Sequence, residues 1–275
     1  MSDLIGSWVD GVAADTVPLD DRGLQYGDGL FETMLIRHGR VRFLDAHLAR
    51  LTTGCARLAI PFDAADALRA EIATASARAP ALSVLKLIVT RGSGPRRGYA
   101  PAGQVRPRRV LSLFAAPPMP AGDTGVDARL ATLTLAENPA LAGIKHLNRL
   151  ENVLAAAEPG YEKVFESLLR NAAGDVVGGT MSNVFVVQAG RVTTPSIDRC
   201  GVAGVMRATV LRECARLGIE ACESRIALAD LMSADEVFIT NVRIGVVPVR
   251  RVGEHSYDMK SIALRLRAHI ETLDA

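Results

Sequence analysis

The sequence has little net charge, no long apolar run and no Cys-x-x-Cys pair. Each of these features argues against a class of protein. The formal net charge of +2 is too small to indicate a nucleic-acid partner. No stretch approaches the roughly 18 apolar residues of a membrane helix, and the first residues lack the pattern of a signal peptide. The four unpaired cysteines favour reduced thiols. We therefore expect a cytoplasmic protein that binds neither nucleic acid nor membrane.

Lysine is rare enough to be informative about chemistry. The chain has 32 basic residues, and only four of them are lysines, namely Lys86, Lys145, Lys163 and Lys260. Arginine can replace lysine as a solvated charge, but it cannot form an imine with an aldehyde. Lys163 and Lys260 have polar surroundings, whereas Lys86 and Lys145 lie among apolar residues. The last two are therefore the candidates for amine chemistry.

Hydrophobic periodicity predicts a mixed α/β (α+β) protein in two parts. Apolar residues at helical spacing predict helices at 44–58, 64–79, 150–157, 206–217 and 259–273. Strand-like apolar runs occur at 82–90, 109–115, 128–135, 165–170, 182–187 and 236–240. Three prolines and a glycine interrupt the pattern at 117–122. We therefore predict an N-terminal domain at 1–117 and a C-terminal domain at 118–275.

Two segments and one arginine are candidates for anion binding. Gly201–Met206 leads into the helix predicted at 206–217, so its backbone N–H groups would face a phosphate at the positive end of the helix dipole. A loop that needs glycine for its backbone angles explains the same pattern. Thr240–Gly245, a polar turn after an apolar strand, is a weaker candidate. Arg50, beside the apolar stripe of its helix, would either keep its head in water or contact a phosphate.

A loop rich in arginine and glycine follows the strand predicted at 82–90. Arg91–Tyr99 could bind a substrate that carries a carboxylate, although a plain charged loop is equally consistent with it. The chain lacks both the Gly-x-x-x-x-Gly-Lys-Ser/Thr element and the His-Glu-x-x-His element. Nucleotide triphosphate hydrolysis and zinc hydrolysis therefore have no support, and we expect no metal site.

Several blocks, spread over nearly the whole chain, resemble the fold-type IV pyridoxal-phosphate enzymes. Blocks general to that family are Asp21-Arg22-Gly23, Ser182-Asn183-Val184-Phe185 and Gly201 to Arg207. Two further blocks are similar to the aminodeoxychorismate lyases in particular: Ala142 to Arg149, and Arg91-Gly92-Ser93-Gly94 with Arg97-Gly98-Tyr99. The resemblance implies a small N-terminal α/β sandwich, a larger barrel-like C-terminal α/β domain, and a homodimer.

The resemblance also implies roles for individual residues. Lys145 matches the lysine that forms an imine with pyridoxal 5'-phosphate, and Lys86 is then structural. The positions that match the family's phosphate site are Arg50, Gly204, Val205, Met206, Asn241 and Val242. The positions that match its substrate site are Arg97 and Tyr99.

The activity implied is that of an oxo-acid lyase in folate biosynthesis. Such an enzyme converts the small molecule 4-amino-4-deoxychorismate to 4-aminobenzoate and pyruvate, with Lys145 as general base and then general acid. One alternative is an aminotransferase of the same fold type that acts on D- or branched-chain amino acids. Another is a non-catalytic relative that has kept the fold.

One position departs from the family pattern. Fold-type IV enzymes usually carry a glutamate before the Gly-Thr-x-Ser-Asn segment, where it pairs with the pyridine nitrogen, and this chain has Gly178 there. Without that carboxylate the cofactor should be a weaker electron sink. Loss of pyruvate creates an aromatic ring, which supplies its own driving force, so the departure disfavours the aminotransferase more than the lyase. Glu166, on a neighbouring predicted strand, could instead replace the missing carboxylate.

Overall fold

The computed structural model describes residues 3–94, 98–101, 105–119, 124–257 and 261–273. The chain divides into two compact units. The first unit contains residues 1–118 together with 145–148, and the second contains residues 119–144 and 149–275. The short segment Lys145–Asn148 therefore groups with the first unit, although both of its neighbours in sequence belong to the second.

The first unit is an antiparallel sheet of six strands with three helices. In sheet order the strands are β2 (Val12–Ala13), β1 (Leu4–Val9), β6 (Arg108–Ala115), β5 (Leu82–Thr90), β3 (Gly29–Arg37) and β4 (Arg40–Val41). The helices are α1 (Arg22–Tyr26), α2 (Leu44–Arg57) and α3 (Ala65–Ser76). The apolar stripe of α2 is buried and includes His47, Leu48, Leu51 and Cys55. The predicted helices at 44–58 and 64–79 and the predicted strands at 82–90 and 109–115 are confirmed.

Strand β3 lies near the centre of this sheet and was not predicted. It pairs with β5 at every position from Gly29, opposite Thr90, to Arg37, opposite Leu82. Leu30, Met34 and Ile36 are buried, and so is Leu35 on the alternate face. A strand covered on both faces lacks the apolar–polar alternation that identifies a strand in a sequence.

The second unit is built on a mixed sheet of nine strands. The strands are β7 (Val126–Leu135), β8 (Glu166–Asn171), β9 (Val176–Gly179), β10 (Asn183–Gln188), β11 (Arg191–Pro195), β12 (Ala221–Ser224), β13 (Glu236–Asn241), β14 (Gly245–Val252) and β15 (His255–Ser256). Their order is β12-β11-β10-β13-β14-β7-β8-β9, and β15 pairs with β14. The β11–β12, β14–β7 and β7–β8 pairs are parallel. Strand β9 also lies against β10 and β11, so the sheet curls towards a barrel.

Among the described residues, the second unit also contains four α-helices and one short 3-10 helix. They are α4 (Leu150–Ala156), the 3-10 helix Tyr161–Lys163, α5 (Val205–Arg216), α6 (Leu228–Met232) and α7 (Ser261–Thr272). At the centre of the core, Phe185 of β10 stacks on Phe238 of β13, with ring centroids 4.8 Å apart. The helix predicted at 259–273 is described from Ser261 onward, and Lys260 lies outside the described residues.

The fold class predicted from the sequence is confirmed: a small N-terminal α/β unit and a larger barrel-like α/β unit. The longest helix among the described residues is the 14-residue α2. Within that part of the chain, no helix combines the length and apolar character needed to span a membrane.

Candidate active site

Lys145 is held against the beginning of β3. The backbone N–H of Phe31 donates to the carbonyl of Lys145 at 3.0 Å, and that of Leu147 donates to the carbonyl of Gly29 at 3.0 Å. These bonds fix the backbone from the carbonyl of Lys145 to Leu147. The Nζ atom of Lys145 lies 4.1 Å from the centroid of the Phe31 ring. The amine is therefore placed over an aromatic face, a favourable position for a cation.

Lys86 approaches the same aromatic ring. Its Nζ atom lies 5.6 Å from the Phe31 centroid, and Lys86 on β5 is paired in register with Thr33 on β3. The two lysines with apolar sequence surroundings are therefore neighbours of one side chain. The structure places Lys86 beside the candidate site, which the resemblance did not imply.

Arg50 is oriented by a buried carboxylate. Its Nε donates to Oε1 of Glu32 at 2.8 Å, and its Nη2 donates to Oε2 of the same residue. The Nδ1 atom of His47 lies 2.6 Å from Oε2 of Glu32. Glu32 and His47 are 1% and 0% exposed, so this cluster is almost completely removed from water.

The charges in this cluster follow from its contacts. Burial alone would raise the pKa of Glu32, but the hydrogen bonds from His47 and Arg50 outweigh it and lower that pKa. Burial lowers the pKa of His47, so its ring is neutral near pH 7 and Nδ1 donates to Glu32. The Nε2 atom of His47 is buried without a hydrogen-bond partner in the described structure. Arg50 is thus a guanidinium fixed by an ionised carboxylate.

Sequence reasoning selected Arg50 but missed Glu32 and His47. Two signals were available: an acidic residue within an apolar strand, and a histidine on the apolar stripe of a helix. Burying either residue type without a hydrogen-bond partner is unfavourable in free energy.

Tyr99, predicted to meet the substrate, is 86% exposed. Its ring centroid is 5.6 Å from that of Tyr26. Arg22 fixes the local backbone, because it donates to the carbonyls of Gly98 and Tyr99 at 2.8 and 2.7 Å. Arg97, the other predicted substrate residue, lies outside the described residues.

The second unit brings together the remaining predicted phosphate-binding positions. Helix α5 begins after Gly204, and no side chain caps its first N–H groups. The side-chain amide of Asn183 donates to the carbonyl of Val202 at 2.9 Å. A Cβ atom at position 204 would collide with Oδ1 of Asn183, so the close approach requires glycine. The free end of α5 is therefore held beside the beginning of β10.

The turn after β13 lies at the same end of the sheet. Thr240 pairs in register with Asn183. Oδ1 of Asn241 accepts the N–H groups of Arg243 and Ile244 at 2.9 and 3.0 Å. The hydroxyl of Thr240 is buried and has no hydrogen-bond partner among the described residues. The uncapped helix start and this hydroxyl form a donor set suited to a phosphate. Thr240 begins the segment that the sequence offered as the weaker anion-binding candidate, although its hydroxyl was not singled out there.

Glu166 is enclosed by the turn that connects β9 to β10. Its Oε1 accepts from the hydroxyl and the N–H of Thr180 at 2.5 and 2.9 Å. Its Oε2 accepts from the hydroxyl of Ser182 at 2.6 Å and from the N–H of Met181 at 3.2 Å. Burial raises the pKa of Glu166, and the hydrogen bonds from Ser182 and Thr180 only partly oppose this effect. Both oxygens are engaged in holding the turn.

The position of the missing family glutamate, Gly178, is buried but less crowded than its neighbour Gly179. A Cβ atom on Gly178 would meet one atom, the carbonyl oxygen of Ser182 at 3.1 Å. At the next residue, a Cβ on Gly179 would collide with the carboxylate of Glu166. Packing therefore requires glycine at 179 far more strongly than at 178.

Comparisons with known proteins agree with this arrangement. Residues 29–252 match the family described as amino-transferase class IV. The chain is 34% identical to an aminodeoxychorismate lyase of Vibrio harveyi over 96% of its own length and 99% of that protein. It is also 32% identical to a D-alanine aminotransferase of Bacillus licheniformis over 86% of this chain and 83% of that protein. The crystal structure of 4-amino-4-deoxychorismate lyase from Pseudomonas aeruginosa superposes with a TM-score of 0.92 at 44% identity, covering 97% of this chain and 98% of that one.

Proposed function

The chain belongs to the class IV aminotransferase family, and on that premise we propose that it acts as an aminodeoxychorismate lyase. The reaction converts 4-amino-4-deoxychorismate to 4-aminobenzoate and pyruvate, a step of folate biosynthesis. The observation that carries this proposal is the likeness to two lyases of that name, 34% and 44% identical over nearly the whole chain. The family is pyridoxal-phosphate dependent.

The residues of the chain suit pyridoxal 5'-phosphate. Lys145 is proposed to bind its aldehyde, and its carbonyl accepts a hydrogen bond from the N–H of Phe31. The residues proposed for the phosphate are Arg50, Gly204, Val205, Met206, Asn241 and Val242. The uncapped start of α5 and the unpartnered hydroxyl of Thr240 support this assignment within the second unit. When bound, the cofactor supplies an aldehyde that captures the substrate amine and a ring that accepts negative charge.

Lys145 is the group that moves protons. Its amine removes the proton from C4 of the substrate ring, and the C–O bond to the enolpyruvyl group then breaks. The ammonium so formed returns a proton to the departing enolpyruvate, which becomes pyruvate. The remaining ring is aromatic, and this supplies much of the driving force. The reaction therefore tolerates Gly178 in place of a carboxylate, and the occupied oxygens of Glu166 support a structural role for that residue.

The substrate-facing residues are also proposals. Tyr99 is exposed and its backbone is anchored by Arg22, which supports a role in substrate contact. Arg97, two residues earlier in the chain, is proposed to bind a substrate carboxylate.

We further propose that the protein is a cytoplasmic homodimer. Helix α4 exposes three apolar side chains at i, i+3 and i+4: Leu150, Val153 and Leu154, which are 76%, 59% and 58% exposed. An exposed apolar stripe of this kind favours burial against another protein surface. The four cysteines are free thiols, which is consistent with a reducing compartment.

The test is release of 4-aminobenzoate from 4-amino-4-deoxychorismate by the wild type and by Lys145→Ala. We expect product from the wild type and none from the variant. Lys163→Ala, which removes an exposed lysine, is the matched control and should keep full activity. Product from Lys145→Ala would refute the role of the lysine. A wild type that forms no product but converts the cofactor to its amine form with D-alanine would be an aminotransferase, and one that binds no cofactor would be a non-catalytic relative.

A further inference from the structure

Arg243 lies in the turn between β13 and β14, next to the proposed phosphate site. Its backbone N–H is held by the side chain of Asn241 at 2.9 Å. Its guanidinium Nη2 lies 3.8 Å from Sδ of Met181. The amide of Asn241 also donates to the carbonyl of Met181 at 3.1 Å. The arginine is therefore fixed between two turns, one of which Glu166 holds in place.

Among the described residues, the charge of Arg243 has no counter-ion. Several other arginines removed from solvent pair with carboxylates, among them Arg22 and Arg91 with Asp28 and Arg109 with Glu71. Throughout the described residues, no carboxylate lies within ion-pair distance of the Arg243 guanidinium. The hydrogen-bond acceptor that its guanidinium meets within that part of the chain is the weak acceptor sulfur of Met181.

A partly buried guanidinium without a partner is costly. Burial lowers the pKa of Arg243, yet an arginine remains charged at any physiological pH. Removing that charge from water is compensated when an anion binds beside it. A missing counter-ion at a fixed arginine thus points to an anionic ligand.

Two anionic groups come to this site in the proposed function, the cofactor phosphate and the substrate carboxylates. The phosphate already has donors in the uncapped start of α5 and the Thr240 hydroxyl. A planar guanidinium matches a carboxylate through two parallel hydrogen bonds. We propose that Arg243 binds a carboxylate of the substrate and so contributes to selecting 4-amino-4-deoxychorismate. This inference rests on the proposed function and extends it to a residue outside the blocks that carry the family resemblance.

The experiment compares Arg243→Gln and Arg243→Lys with Arg191→Gln, which removes an exposed arginine paired with Glu220 at the surface. Four quantities are measured: KM and kcat for the lyase reaction, the Kd of pyridoxal 5'-phosphate, and the Kd of chorismate by calorimetry. Chorismate carries both carboxylates but no amine, so its binding reports carboxylate recognition without turnover. Thermal melting of each variant checks that it is folded.

We expect Arg243→Gln to raise KM and the chorismate Kd by roughly 10- to 100-fold, the range for a lost charge-assisted hydrogen bond. The lysine variant should lie between the wild type and the glutamine variant. Cofactor affinity should stay within about twofold of the wild type, and Arg191→Gln should change none of the four quantities.

Three outcomes would overturn the inference. A weaker cofactor Kd with an unchanged chorismate Kd would assign Arg243 to the phosphate. Equal effects from Arg191→Gln would show that the loss of any positive charge weakens binding. An unchanged chorismate Kd in Arg243→Gln would show that Arg243 does not bind the substrate carboxylate. A wild type that binds chorismate through Arg243 but releases no 4-aminobenzoate would refute the lyase while leaving the carboxylate site in place.

Discussion

Substituting Glu32 by glutamine tests whether the buried cluster exists to orient Arg50. In the wild type the carboxylate of Glu32 accepts hydrogen bonds from Nε and Nη2 of Arg50 and from Nδ1 of His47. Glutamine has one acceptor oxygen, and its amide group must then face a donor of Arg50 or His47. At least one buried donor is left without an acceptor, and the guanidinium loses its counter-ion.

Breaking a buried ion pair from one side costs about 3–5 kcal/mol. Glu32 and Arg50 have side chains that are 2% and 15% exposed, so solvent screens the pair little. We therefore expect the free energy of unfolding of the cofactor-free protein to fall by about 3 kcal/mol or more at pH 7. If Arg50 also binds the cofactor phosphate, its loss of orientation should weaken the Kd of pyridoxal 5'-phosphate by roughly 10- to 100-fold.

The matched control is Glu71→Gln. The Glu71–Arg109 pair lies in the same unit and is also bidentate, and its side chains are 13% and 16% exposed. Urea unfolding should show a loss of about 2–3 kcal/mol for this variant. Its cofactor affinity, measured by absorbance titration, should equal that of the wild type. The two variants therefore separate general destabilisation from an effect on the phosphate.

The pH dependence of the Glu32→Gln effect is fixed by the sign of the pKa shift. The pKa of Glu32 lies below its ordinary value of 4.5 in the folded protein. Its stabilising contribution is therefore complete above pH 4.5 and is lost as the pH falls through the folded pKa. The difference between wild type and variant should shrink in acid. An equal cofactor Kd in Glu32→Gln and Glu71→Gln would refute the reasoning, because Glu32 would then be a stabilising residue only.

Three further predictions concern the second unit. The pKa of Glu166 is raised from 4.5, so the stability of the wild type should fall as the pH rises above 4.5. Thermal melts of Glu166→Gln from pH 5 to 8 should lack this dependence. Gly179→Ala should lower the free energy of unfolding by about 2–4 kcal/mol, measured in urea, because its Cβ collides with Glu166. Gly178→Ala should lower it by under about 1 kcal/mol. Equal losses from the two substitutions would contradict the packing argument. Leu154→Glu should shift the protein to a monomer in analytical ultracentrifugation. The control Val12→Glu, at a site that is 70% exposed, should leave the dimer intact. A dimer that persists in Leu154→Glu would exclude α4 from the interface.

Local patterns in the sequence identified much of this fold. The apolar stripe of α2 and the run of Leu82–Thr90 appear in the structure close to their predicted bounds. Strand β3 was missed because both of its faces are buried and because it contains Gly29 and Glu32, residue types depleted in strands. Its position depends on pairing with β5, whose partner residues lie 45 to 61 positions away along the chain, from Arg37 opposite Leu82 to Gly29 opposite Thr90. Pairing over such a distance leaves no periodic trace in either strand.

In the candidate site, too, the sequence identified some residues, whereas others were recognised only from their contacts in the structure. The scarcity of lysine selected Lys145 and Lys86, and the structure places both amines near Phe31. The partners of Arg50 could not be found in this way, because Glu32 lies 18 residues from it in sequence and the contact depends on α2 packing against β3. Arg243 is a stronger case. What distinguishes it is the absence of a counter-ion among the described residues, and an absence of contact can be recognised only once the neighbours are in place.

The glycine pair at 178 and 179 connects these observations to the choice of reaction. Gly179 is required because the carboxylate of Glu166 occupies the space of its Cβ, and Glu166 in turn holds the turn that carries Met181. No such collision restricts position 178, where one carbonyl oxygen lies at 3.1 Å from an added Cβ. Packing at the Cβ position therefore restricts residue 178 less than residue 179, and the absence of a carboxylate at 178 calls for a chemical reason. A reaction driven by formation of an aromatic ring supplies one, because it depends less on a protonated ring nitrogen than transamination does.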